Sequence, residues 1–366
     1  MTDLQARFAR ADEVERWDTL VAANPTAGDF VQTKPYAATK ATVGWTPRYL
    51  VFEAAGAPVS VALVLERRIP LLGRYWYLPH GPAVAEPAST HAHVVALRKF
   101  ALQQPGRIFA ITIDPMLEDT EQNRLATTAG PYALTALGAR WRPGIQGNTF
   151  TAIVSLDGSD AELLARFHKR CRNMINRAVR DGVEVREYPA NAETFAHMHR
   201  LMRLVGGGGA ALRLRSEAYA ETFWRGFSDA GLGRFYGIEV DGTPALLAFV
   251  IRVGECAFYK DGGSERHRTT PGMSNLLQWR MMRDMRDAGA RSYDMLGVPP
   301  RARLDDPTAP NHSLAPFKLS FAREVTEFIG AYDVVLRPGA FTWWQRFGLP
   351  ITQRLHRRRY RDLDLY

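Results

Sequence analysis

At 366 residues, with 46% hydrophobic and 23% charged residues, the chain is long enough for two ordinary domains, and its composition excludes a disordered or fibrous protein. The formal charge of +9 favours an anionic partner, such as nucleic acid, a phosphorylated substrate or an anionic membrane surface. Because no apolar run is long enough to cross a bilayer and the first residues lack the apolar region of a secretory signal, we expect a cytoplasmic protein.

The first predicted element pair is a β-hairpin in "FEAAGAPVSVALVLE" (residues 52–66). Alternating apolar residues lead into a Gly-x-Pro turn, and a second β-rich run follows. The stretch "IEVDGTPALLAFVIR" (residues 238–252) repeats this pattern, with Gly242 at the place of Gly56 and Pro244 at the place of Pro58. "LGARWRP" (137–143) and "AGARSYD" (288–294) both predict a helix that ends at a glycine and precedes a strand. The two pairs occur in the same order and indicate a duplicated α/β unit.

The middle of the chain predicts a crossing followed by a basic helix. "GIQGNTF" (144–150) is interpreted as the crossing from the first unit to the second. "DAELLARFHKRCRNMINRAVRDG" (160–182) predicts one amphipathic helix with Asp160 as its N-cap and Gly182 as its stop. Its apolar face is expected to contain Leu164, Phe167, Cys171, Met174 or Ile175, and Ala178. Its basic face is either a solvated face or a phosphate contact, and the sequence leaves both open.

Further along, "VGGGGAALRLRS" contains four glycines, Gly206 to Gly209, which predict a mobile loop. It is either a flexible helix connection, which we favour, or a loop that closes over a substrate. The run lacks the lysine and preceding strand of a phosphate-binding loop. "PGMSNLLQWRMMRDMRDAG" (271–289) predicts a second helix, whose inward residues are Leu276, Leu277, Met281 and Met285.

Cofactor signals are missing from the sequence. No Walker loop, Rossmann fingerprint or Gly-x-Ser-x-Gly elbow occurs, and Cys171 and Cys256 lie outside any metal-ligand spacing. The repeated units resemble acyl-CoA N-acetyltransferases, but the pyrophosphate loop of that class is missing, which weakens coenzyme A as the acyl donor. We therefore expect neither a metal nor a cofactor, while acyl transfer from another activated ester remains open.

Lysine is rare in this strongly basic chain. It occurs only at positions 34, 40, 99, 169, 260 and 318, and all other residues among the 47 Lys and Arg are arginine. Because an ammonium is compact and a guanidinium is a rigid planar fork, the two are not interchangeable at a precise site. Each lysine is therefore a candidate for a position that requires an ammonium.

Four stretches together resemble the Fem family, the tRNA-dependent aminoacyltransferases that build peptidoglycan cross-bridges. They are "NPTAGDFVQTKPYAATKATVGW" (24–45), "KRCRNMINRAVRDGVEV" (169–185), "GGSERHRTTPGMSNLLQWRMMRDMRDAGARSYDMLGV" (262–298) and "FKLSFAREVTEFIGAYDVVLRP" (317–338). The resemblance implies an α/β fold of two tandem acetyltransferase-like domains with mixed sheets. The first domain would comprise residues 1–147 together with residues 330–366, which return to it from the end of the chain. This domain would bind the peptidoglycan precursor. The second, residues 148–329, would carry the aminoacyl-tRNA side and the catalytic lysine.

The resemblance implies transfer of an aminoacyl group from a charged tRNA to the stem-peptide amine of a peptidoglycan precursor, either the uridine-linked muramyl pentapeptide or lipid II. Both substrates carry phosphates, which fits the basic surplus. An aminoacyl ester is already activated, so the enzyme must mainly position the amine and stabilise an oxyanion. Two alternatives stay open: the same chemistry on a peptide natural product or another amine, and a non-catalytic RNA-binding module.

Residue by residue, the resemblance implies a precursor-binding set and a transfer pair. The nucleotide-sugar contacts match Lys40, Arg215 and Tyr219, and the four-residue spacing predicts the last two on one helix face. Asp114 matches a site aspartate, with a turn residue before Pro115 as the alternative. The resemblance also implies a tyrosine directly before a glycine-containing motif. In this chain the corresponding stretch is "YKDGGS" (259–264), with Asp261 at that position. The precursor contact there therefore either differs or moves to Tyr259.

The transfer pair matches Phe317 and Lys318. As an ammonium near the tRNA ester, Lys318 is expected to stabilise the tetrahedral oxyanion and not to act as the base. On the basic helix, Lys169, Arg172 and Arg177 are the candidates for phosphate contact. In the last stretch, "FTWWQRFGLPITQRLHRRRYRDLDLY" (341–366), we expect Arg357, Arg358 and Arg359 to contact either tRNA phosphates, which we favour slightly, or an anionic membrane interface.

Overall fold

The computed structural model describes residues 4–146, 149–206, 214–265, 267, 270–360 and 365–366. Residues 147–148 of the predicted crossing and residues 207–209 of the predicted glycine connection lie outside this range. The chain divides into two compact units. Unit 1 comprises Met1–Thr149 and Glu327–Tyr366, and unit 2 comprises Phe150–Thr326.

The structure has fifteen strands in its described part. In chain order they are β1 (Gln5–Phe8), β2 (Thr46–Ala54), β3 (Ala57–Ile69), β4 (Gly73–Leu78), β5 (Ile108–Ile113), β6 (Ala139–Arg142), β7 (Phe150–Thr151), β8 (Ile153–Ser155), β9 (Arg186–Tyr188), β10 (Gly233–Val240), β11 (Thr243–Val253), β12 (Cys256–Ser264), β13 (Ser292–Asp294), β14 (Thr326–Glu327) and β15 (Ala331–Val335).

The described helices connect and cover these strands. They are α1 (Ala11–Glu15), α2 (Trp17–Ala22), α3 (Lys34–Thr42), α4 (Pro87–Gln103), α5 (Glu121–Thr128), α6 (Asp160–Arg166), α7 (Lys169–Arg180), α8 (Ala192–Gly206), α9 (Glu217–Asp229), α10 (Met273–Asp287), α11 (Ala315–Ala322), α12 (Pro338–Trp343) and α13 (Leu349–Tyr360). A π-helical turn, Trp344–Gly348, joins the last two. None of the helices in the described ranges is both long enough and apolar enough to cross a bilayer.

Each unit contains a mixed sheet of the same pattern. Unit 1 has the strand order β1-β2-β3-β4-β5-β15-β6, in which the β4–β5 pair is parallel and the other pairs are antiparallel. Unit 2 has the order β8-β13-β12-β11-β10-β9, in which only the β12–β13 pair is parallel. Strand β15 returns to the sheet of unit 1 from the far end of the chain. This arrangement confirms the predicted α/β fold of mixed sheets with flanking helices.

The two predicted hairpins are present and share their irregularities. In the β2–β3 hairpin Gly56 has φ +80°, and in the β10–β11 hairpin Gly242 has φ +73°. Each hairpin also contains a register shift, after Phe52 in one and after Ile238 in the other. A left-handed turn residue and a bulge at matching places are determined by local backbone chemistry, so they support the duplication read from the sequence.

The predicted basic helix is instead two helices, so that prediction was wrong in its boundaries. Helix α6 begins after Ser159, whose side chain accepts from the Glu162 N–H while the Glu162 carboxylate accepts from the Ser159 N–H. This capping box, and not Asp160, starts the helix. The chain becomes extended at Phe167, where ψ is 156°, and α7 then begins at Lys169.

The apolar face of the basic helix pair was predicted largely correctly. Phe167, Cys171, Ile175 and Ala178 are each at most 2% exposed in the core of unit 2. All four residues predicted to face inward on α10, namely Leu276, Leu277, Met281 and Met285, are buried in the same core. Periodicity therefore identified the buried faces, although it missed the break between α6 and α7.

Candidate functional site

Two of the six lysines are buried, and they are the two that the resemblance marks. Lys40 is 1% exposed and lies in unit 1, whereas Lys318 is 8% exposed and lies in unit 2. At this level of burial, Lys318 is not an ordinary surface lysine. Lysines are seldom buried to this extent unless a partner compensates the charge, so the surroundings of each ammonium define a candidate site.

Lys318 lies on helix α11 and is held by backbone oxygens. Its Nζ donates to the carbonyl oxygen of Leu296 at 2.7 Å and to that of Gly297 at 3.0 Å. An ammonium has three N–H bonds, and in the described part of the chain these two carbonyls are its only hydrogen-bond partners. The third N–H is therefore available to an oxygen of a bound substrate.

The carbonyls that hold Lys318 are oriented by Asp294, the last residue of strand β13. Its Oδ1 accepts from the Leu296 N–H at 2.7 Å and also from the Thr151 hydroxyl. Leu296 has φ +55°, an uncommon conformation for a leucine, and the aspartate hydrogen bond supports this turn. Burial lowers the pKa of Lys318 to about 8, while the charge of Asp294 acts in the opposite direction.

Two aromatic candidates belong to the same unit. The ring of Phe317 packs edge-on against Phe321, with ring centroids 5.4 Å apart. Tyr259, on strand β12, packs against the same hydrophobic core as Phe317, and burial raises the pKa of its hydroxyl to about 12. The phenol therefore stays protonated at neutral pH and acts as a hydrogen-bond donor or acceptor, not as an anion.

Unit 1 contains a second buried cluster that links Lys40 to Asp114. The Lys40 ammonium lies 5.2 Å from the centre of the Tyr36 ring. The Gln146 side-chain amide donates to the hydroxyl oxygens of Tyr36 at 3.2 Å and Tyr77 at 3.0 Å. The Tyr77 hydroxyl in turn donates to Asp114 Oδ2 at 3.3 Å. A cation, two phenols, an amide and a carboxylate thus form one continuous polar group inside unit 1.

Asp114 directly follows strand β5 and is 5% exposed. Burial raises the pKa of its carboxyl group, while the nearby His80 and the backbone N–H groups of Ile145 and Gln146 favour the ionised form. His80 contacts Asp29 through its Nδ1, at 2.6 Å from Oδ2. The alternative reading of Asp114 as a simple turn residue does not explain this side-chain network, because a turn aspartate hydrogen-bonds its own backbone neighbours.

Arg215 and Tyr219 are in contact, but not in the predicted way. Helix α9 starts at Glu217 with Ser216 as its N-cap, so Arg215 precedes the helix and does not share a helical face with Tyr219. The guanidinium lies over the Tyr219 ring, 5.1 Å from its centre, as a cation–π pair. The pair itself was expected, and the serine cap explains why the geometry differs.

Asp261 is committed to structural contacts. Its carboxylate accepts from the Trp224 indole N–H at 2.8 Å and from Lys260 Nζ at 3.1 Å. Strand β12 has a register shift opposite Phe249, and this bulge turns Asp261 away from the face that carries Tyr259. The sequence left the precursor contact open between Asp261 and Tyr259. Of these two residues, Tyr259 packs against the core that also contacts Phe317, whereas Asp261 does not face that core.

The basic residues of α7 have different surroundings. Arg172 donates to the carbonyl oxygens of Phe167 and Ala165, so its guanidinium caps the end of helix α6. Arg177 forms an exposed ion pair with Asp181, one helical turn further along, with 3.5 Å between Nε and Oδ2. Lys169 is exposed in the first turn of α7, where the helix dipole adds positive potential. Lys169 is therefore the best placed of the three for a phosphate.

Arg357, Arg358 and Arg359 are exposed on the last turns of α13. Arg361 lies outside the described residues. Leu365 and Tyr366 are anchored in unit 1, where the Leu365 carbonyl accepts from the Trp45 indole N–H at 2.8 Å and the Tyr366 ring lies 5.2 Å from that of Tyr77.

Sequence reasoning missed Asp294 and the bridging residue Gln146. A signal for Asp294 exists in the duplication, because "ITID" places Asp114 directly after strand β5 and "RSYD" places Asp294 at the end of the matching strand β13. No comparable signal marks Gln146, which lies in an irregular connection far in sequence from both tyrosines. Among the described residues, no group of three or more His, Cys, Asp or Glu side chains is placed to hold a metal ion.

The mixed sheets with flanking helices form an acetyltransferase-like fold, and a family model described as an acetyltransferase (GNAT) domain matches residues 165–306. The model of the FemAB family matches residues 13–230, more than half of the chain. The chain belongs to the FemAB family.

Relatives with assigned activities are similar over part of their length. The lipid II:glycine glycyltransferase of Staphylococcus aureus (strain MRSA252) is 27% identical over 235 residues, which cover 61% of this chain and 53% of the relative. The same enzyme of strain NCTC 8325 is 26% identical with the same coverage. The chain thus spans about half the length of the curated relatives it matches.

The crystal structure of FemX is similar over nearly the whole fold. It has a TM-score of 0.79 at 20% sequence identity, and the match covers 94% of this chain and 99% of that one. At this identity the likeness establishes the fold alone.

Proposed function

We propose that this protein transfers an aminoacyl group from an aminoacyl-tRNA to the stem-peptide amine of a peptidoglycan precursor. Membership of the FemAB family and similarity to lipid II:glycine glycyltransferases support the reaction class. The observation that carries the proposal is the buried ammonium of Lys318, held by two backbone carbonyls and with one N–H available. A fixed, buried cation is suited to an oxyanion that develops during acyl transfer.

The proposed reaction needs no covalent enzyme intermediate. The neutral stem-peptide amine attacks the ester carbonyl carbon, a C–N bond forms, and the carbonyl electrons move to the oxygen that Lys318 faces. Collapse of this tetrahedral adduct breaks the ester C–O bond and releases the ribose hydroxyl of the tRNA. The amine proton passes to water or to a substrate phosphate, and finally one proton resides on the released hydroxyl. Lys318 remains an ammonium throughout and contributes electrostatic stabilisation.

The precursor side of the proposal rests on the cluster in unit 1. A phosphorylated sugar offers negative oxygens to Lys40, which lies over the Tyr36 ring, and hydroxyl donors to Asp114, which already accepts from Tyr77. Because Asp114 is buried and its pKa is raised, a ligand hydroxyl that donates to it would relieve part of the desolvation cost. Arg215 and Tyr219 are proposed as further contacts of the precursor.

The donor side rests on the basic residues of unit 2. Lys169 at the start of α7 is proposed to contact a tRNA phosphate, with Arg177 as a second contact once its exposed pair with Asp181 opens. Exposed ion pairs of this kind contribute little, so a phosphate can displace the carboxylate readily. Arg172 is proposed to act by holding the end of α6 in place.

The proposal is tested with the full chain, a set of radiolabelled aminoacyl-tRNAs and three acceptors: lipid II, the uridine-linked muramyl pentapeptide and an unrelated peptide amine. We expect label to reach one of the two muramyl acceptors in a form stable to mild base, because an amide survives where the ester does not. Transfer only to the unrelated amine would redirect the proposal to a natural-product acceptor. Tight tRNA binding without transfer to any acceptor would identify an RNA-binding module and overturn the proposal.

A further inference from the structure

The last helices of unit 1 expose an unusual number of large apolar side chains. Trp343, Phe347, Ile351 and Leu355 are 43%, 46%, 51% and 59% exposed, respectively. We call these four residues the C-terminal stripe. They recur at every fourth position along α12, the π-helical turn and α13. Other large exposed apolar residues of the described chain, such as Leu102 and Leu125, are scattered over separate elements.

The helical geometry keeps the stripe on one side. In a regular α-helix each step of four residues advances by about 40° around the axis, so three such steps would spread over about 120°. A π-helical turn has more residues per turn, so the rotation between Trp343 and Phe347 is smaller. These two rings also contact each other, with centroids 5.9 Å apart. The stripe therefore runs along one side of the helical segment, with its two aromatic rings in contact.

The helix is fixed to unit 1 by the neighbouring face, so the stripe is not its packing surface. Trp344 is 2% exposed, and its ring lies 5.5 Å from that of Tyr75 and 5.9 Å from that of Phe109. Phe341 is 1% exposed and lies under the Arg140 guanidinium. One face of this helical segment is therefore anchored in the core of unit 1, and the face beside it carries apolar side chains into the solvent.

The charges around the stripe have one sign. Residues 338–360 contain no aspartate or glutamate, and five arginines accompany the stripe, at positions 346, 354, 357, 358 and 359. Arg346 lies over the Phe347 ring, 5.3 Å from its centre. An apolar strip with tryptophan and phenylalanine, in a segment whose charged residues are all cations, is complementary to an anionic lipid surface: the rings and aliphatic side chains enter the interface, and the guanidinium groups contact lipid phosphates.

We propose that the C-terminal stripe docks this protein on the surface of an anionic lipid bilayer, with the segment lying in the plane of the interface. The aliphatic residues of the stripe favour a bilayer over RNA as the partner. Ile351 and Leu355 have no aromatic face on which a base can stack, whereas aliphatic side chains readily enter a lipid interface. This inference is independent of the proposed reaction, and it shifts the interpretation of Arg357, Arg358 and Arg359 from tRNA to lipid phosphates.

The test is co-sedimentation of the full chain with vesicles of phosphatidylcholine, alone or mixed with phosphatidylglycerol, at low and high salt. Ile351→Ser combined with Leu355→Ser is expected to weaken binding to the mixed vesicles at least about tenfold. The matched control is Leu102→Ser combined with Leu125→Ser, which are 58% and 57% exposed on α4 and α5 and should bind normally. All four positions are exposed, so thermal unfolding should stay close to that of the parent chain.

A triple change, Arg354→Gln with Arg357→Gln and Arg358→Gln, is expected to remove the preference for phosphatidylglycerol and the salt dependence of binding. Unchanged vesicle binding by the serine pair would overturn the proposal. So would loss of tRNA binding with vesicle binding retained, which would make the stripe an RNA surface, or a change from dimer to monomer without an effect on vesicles, which would make it a contact between two copies.

Discussion

The two buried lysines show how one duplicated fold can hold an ammonium in two different ways. In unit 2, Lys318 is fixed by the Leu296 and Gly297 carbonyls, which belong to the backbone and cannot rotate away. In unit 1, Lys40 faces the Tyr36 ring, within a group whose members are joined by side-chain hydrogen bonds. A backbone cradle holds a charge at one point in space, whereas a side-chain group can exchange partners when a ligand arrives.

The carboxylates of the two clusters show the same contrast. Asp114 directly follows β5 and Asp294 is the last residue of β13, and each of these strands belongs to the parallel pair of its sheet. Asp114 contacts other side chains, among them Tyr77, while Asp294 accepts from the Leu296 N–H and thereby shapes the turn that holds Lys318. We therefore expect changes at Lys318 and Asp294 to alter the rate of transfer, and changes at Lys40 and Asp114 to alter the binding of the precursor.

The largest expected effect is that of Lys318→Met. It removes the ammonium but keeps a long apolar stem, so kcat should fall by roughly 10²- to 10³-fold, the usual effect of losing one oxyanion partner. The KM for the precursor should change little. The measurement is single-turnover transfer from aminoacyl-tRNA at saturating precursor, with Lys99→Met, at an exposed lysine of α4, as the control. Near-normal turnover of Lys318→Met would place the transfer centre elsewhere.

The next effect is expected from Asp114→Asn in unit 1. The amide keeps an acceptor oxygen for Tyr77 but loses the charge, so the KM for the precursor should rise about tenfold or more while kcat stays within about twofold. The matched control is Asp333→Asn, a buried aspartate of the same unit that accepts from Thr112 and pairs with Arg142 at 3.8 Å. This control should lower stability and leave KM unchanged. A fall in kcat alone for Asp114→Asn would end the proposed division of roles.

The pH dependence of transfer tests the charge state of Lys318. Its pKa is lowered to about 8, so the ammonium that stabilises the oxyanion is lost above that pH. Lys318→Arg keeps its cation in this range and shares the titration of the attacking substrate amine, so it is the reference. The ratio of the kcat of the parent chain to that of Lys318→Arg should fall about tenfold from pH 7 to pH 9. A ratio that rises through pH 8 would instead identify the neutral amine of Lys318 as a base.

The lowered pKa of Lys318 also predicts how the free energy of unfolding changes with pH. Because the folded pKa of about 8 lies below the value of 10.5 for a free lysine, the unfolded chain binds more protons between these two pH values. The free energy of unfolding should therefore rise with pH across this window, relative to that of Lys318→Met, by up to about 3 kcal/mol. Urea unfolding of both proteins at several pH values measures this difference, and a flat difference would contradict the shift.

What the sequence could predict was local or came from the resemblance. The hairpins at Gly56 and Gly242 and the inward face of α10 follow from turn chemistry and periodicity, which act over a few residues. Lys318 emerged from the scarcity of lysine together with its matching motif. The cradle around Lys318 could not be predicted, because it depends on a left-handed Leu296 and on Asp294, more than twenty residues away in the chain.

Two helix starts were predicted wrongly beside a capping serine. Ser159 and Ser216 each start a helix through a side-chain hydrogen bond. From the sequence, the N-cap was instead predicted at Asp160, and Arg215 was predicted on a face of the helix that Ser216 caps. Capping signals therefore deserve priority over charge when a helix start is assigned.

The smallest expected effect compares the two units through their hairpins. A Cβ added at Gly56 or at Gly242 would meet no atom within 4 Å, so Gly56→Ala and Gly242→Ala test only the left-handed backbone. Each change should lower the free energy of unfolding of its own unit by about 1–2 kcal/mol, the cost of that conformation for an ordinary residue. Gly339→Ala is the control, because Gly339 also has open space but lies in the first turn of α12 without a positive φ, where alanine should be neutral or slightly stabilising. Urea unfolding with a probe in each unit measures the effects. Equal losses would show that the duplicated hairpins remain energetically equivalent, whereas a loss confined to one unit would show that only that hairpin still depends on its glycine.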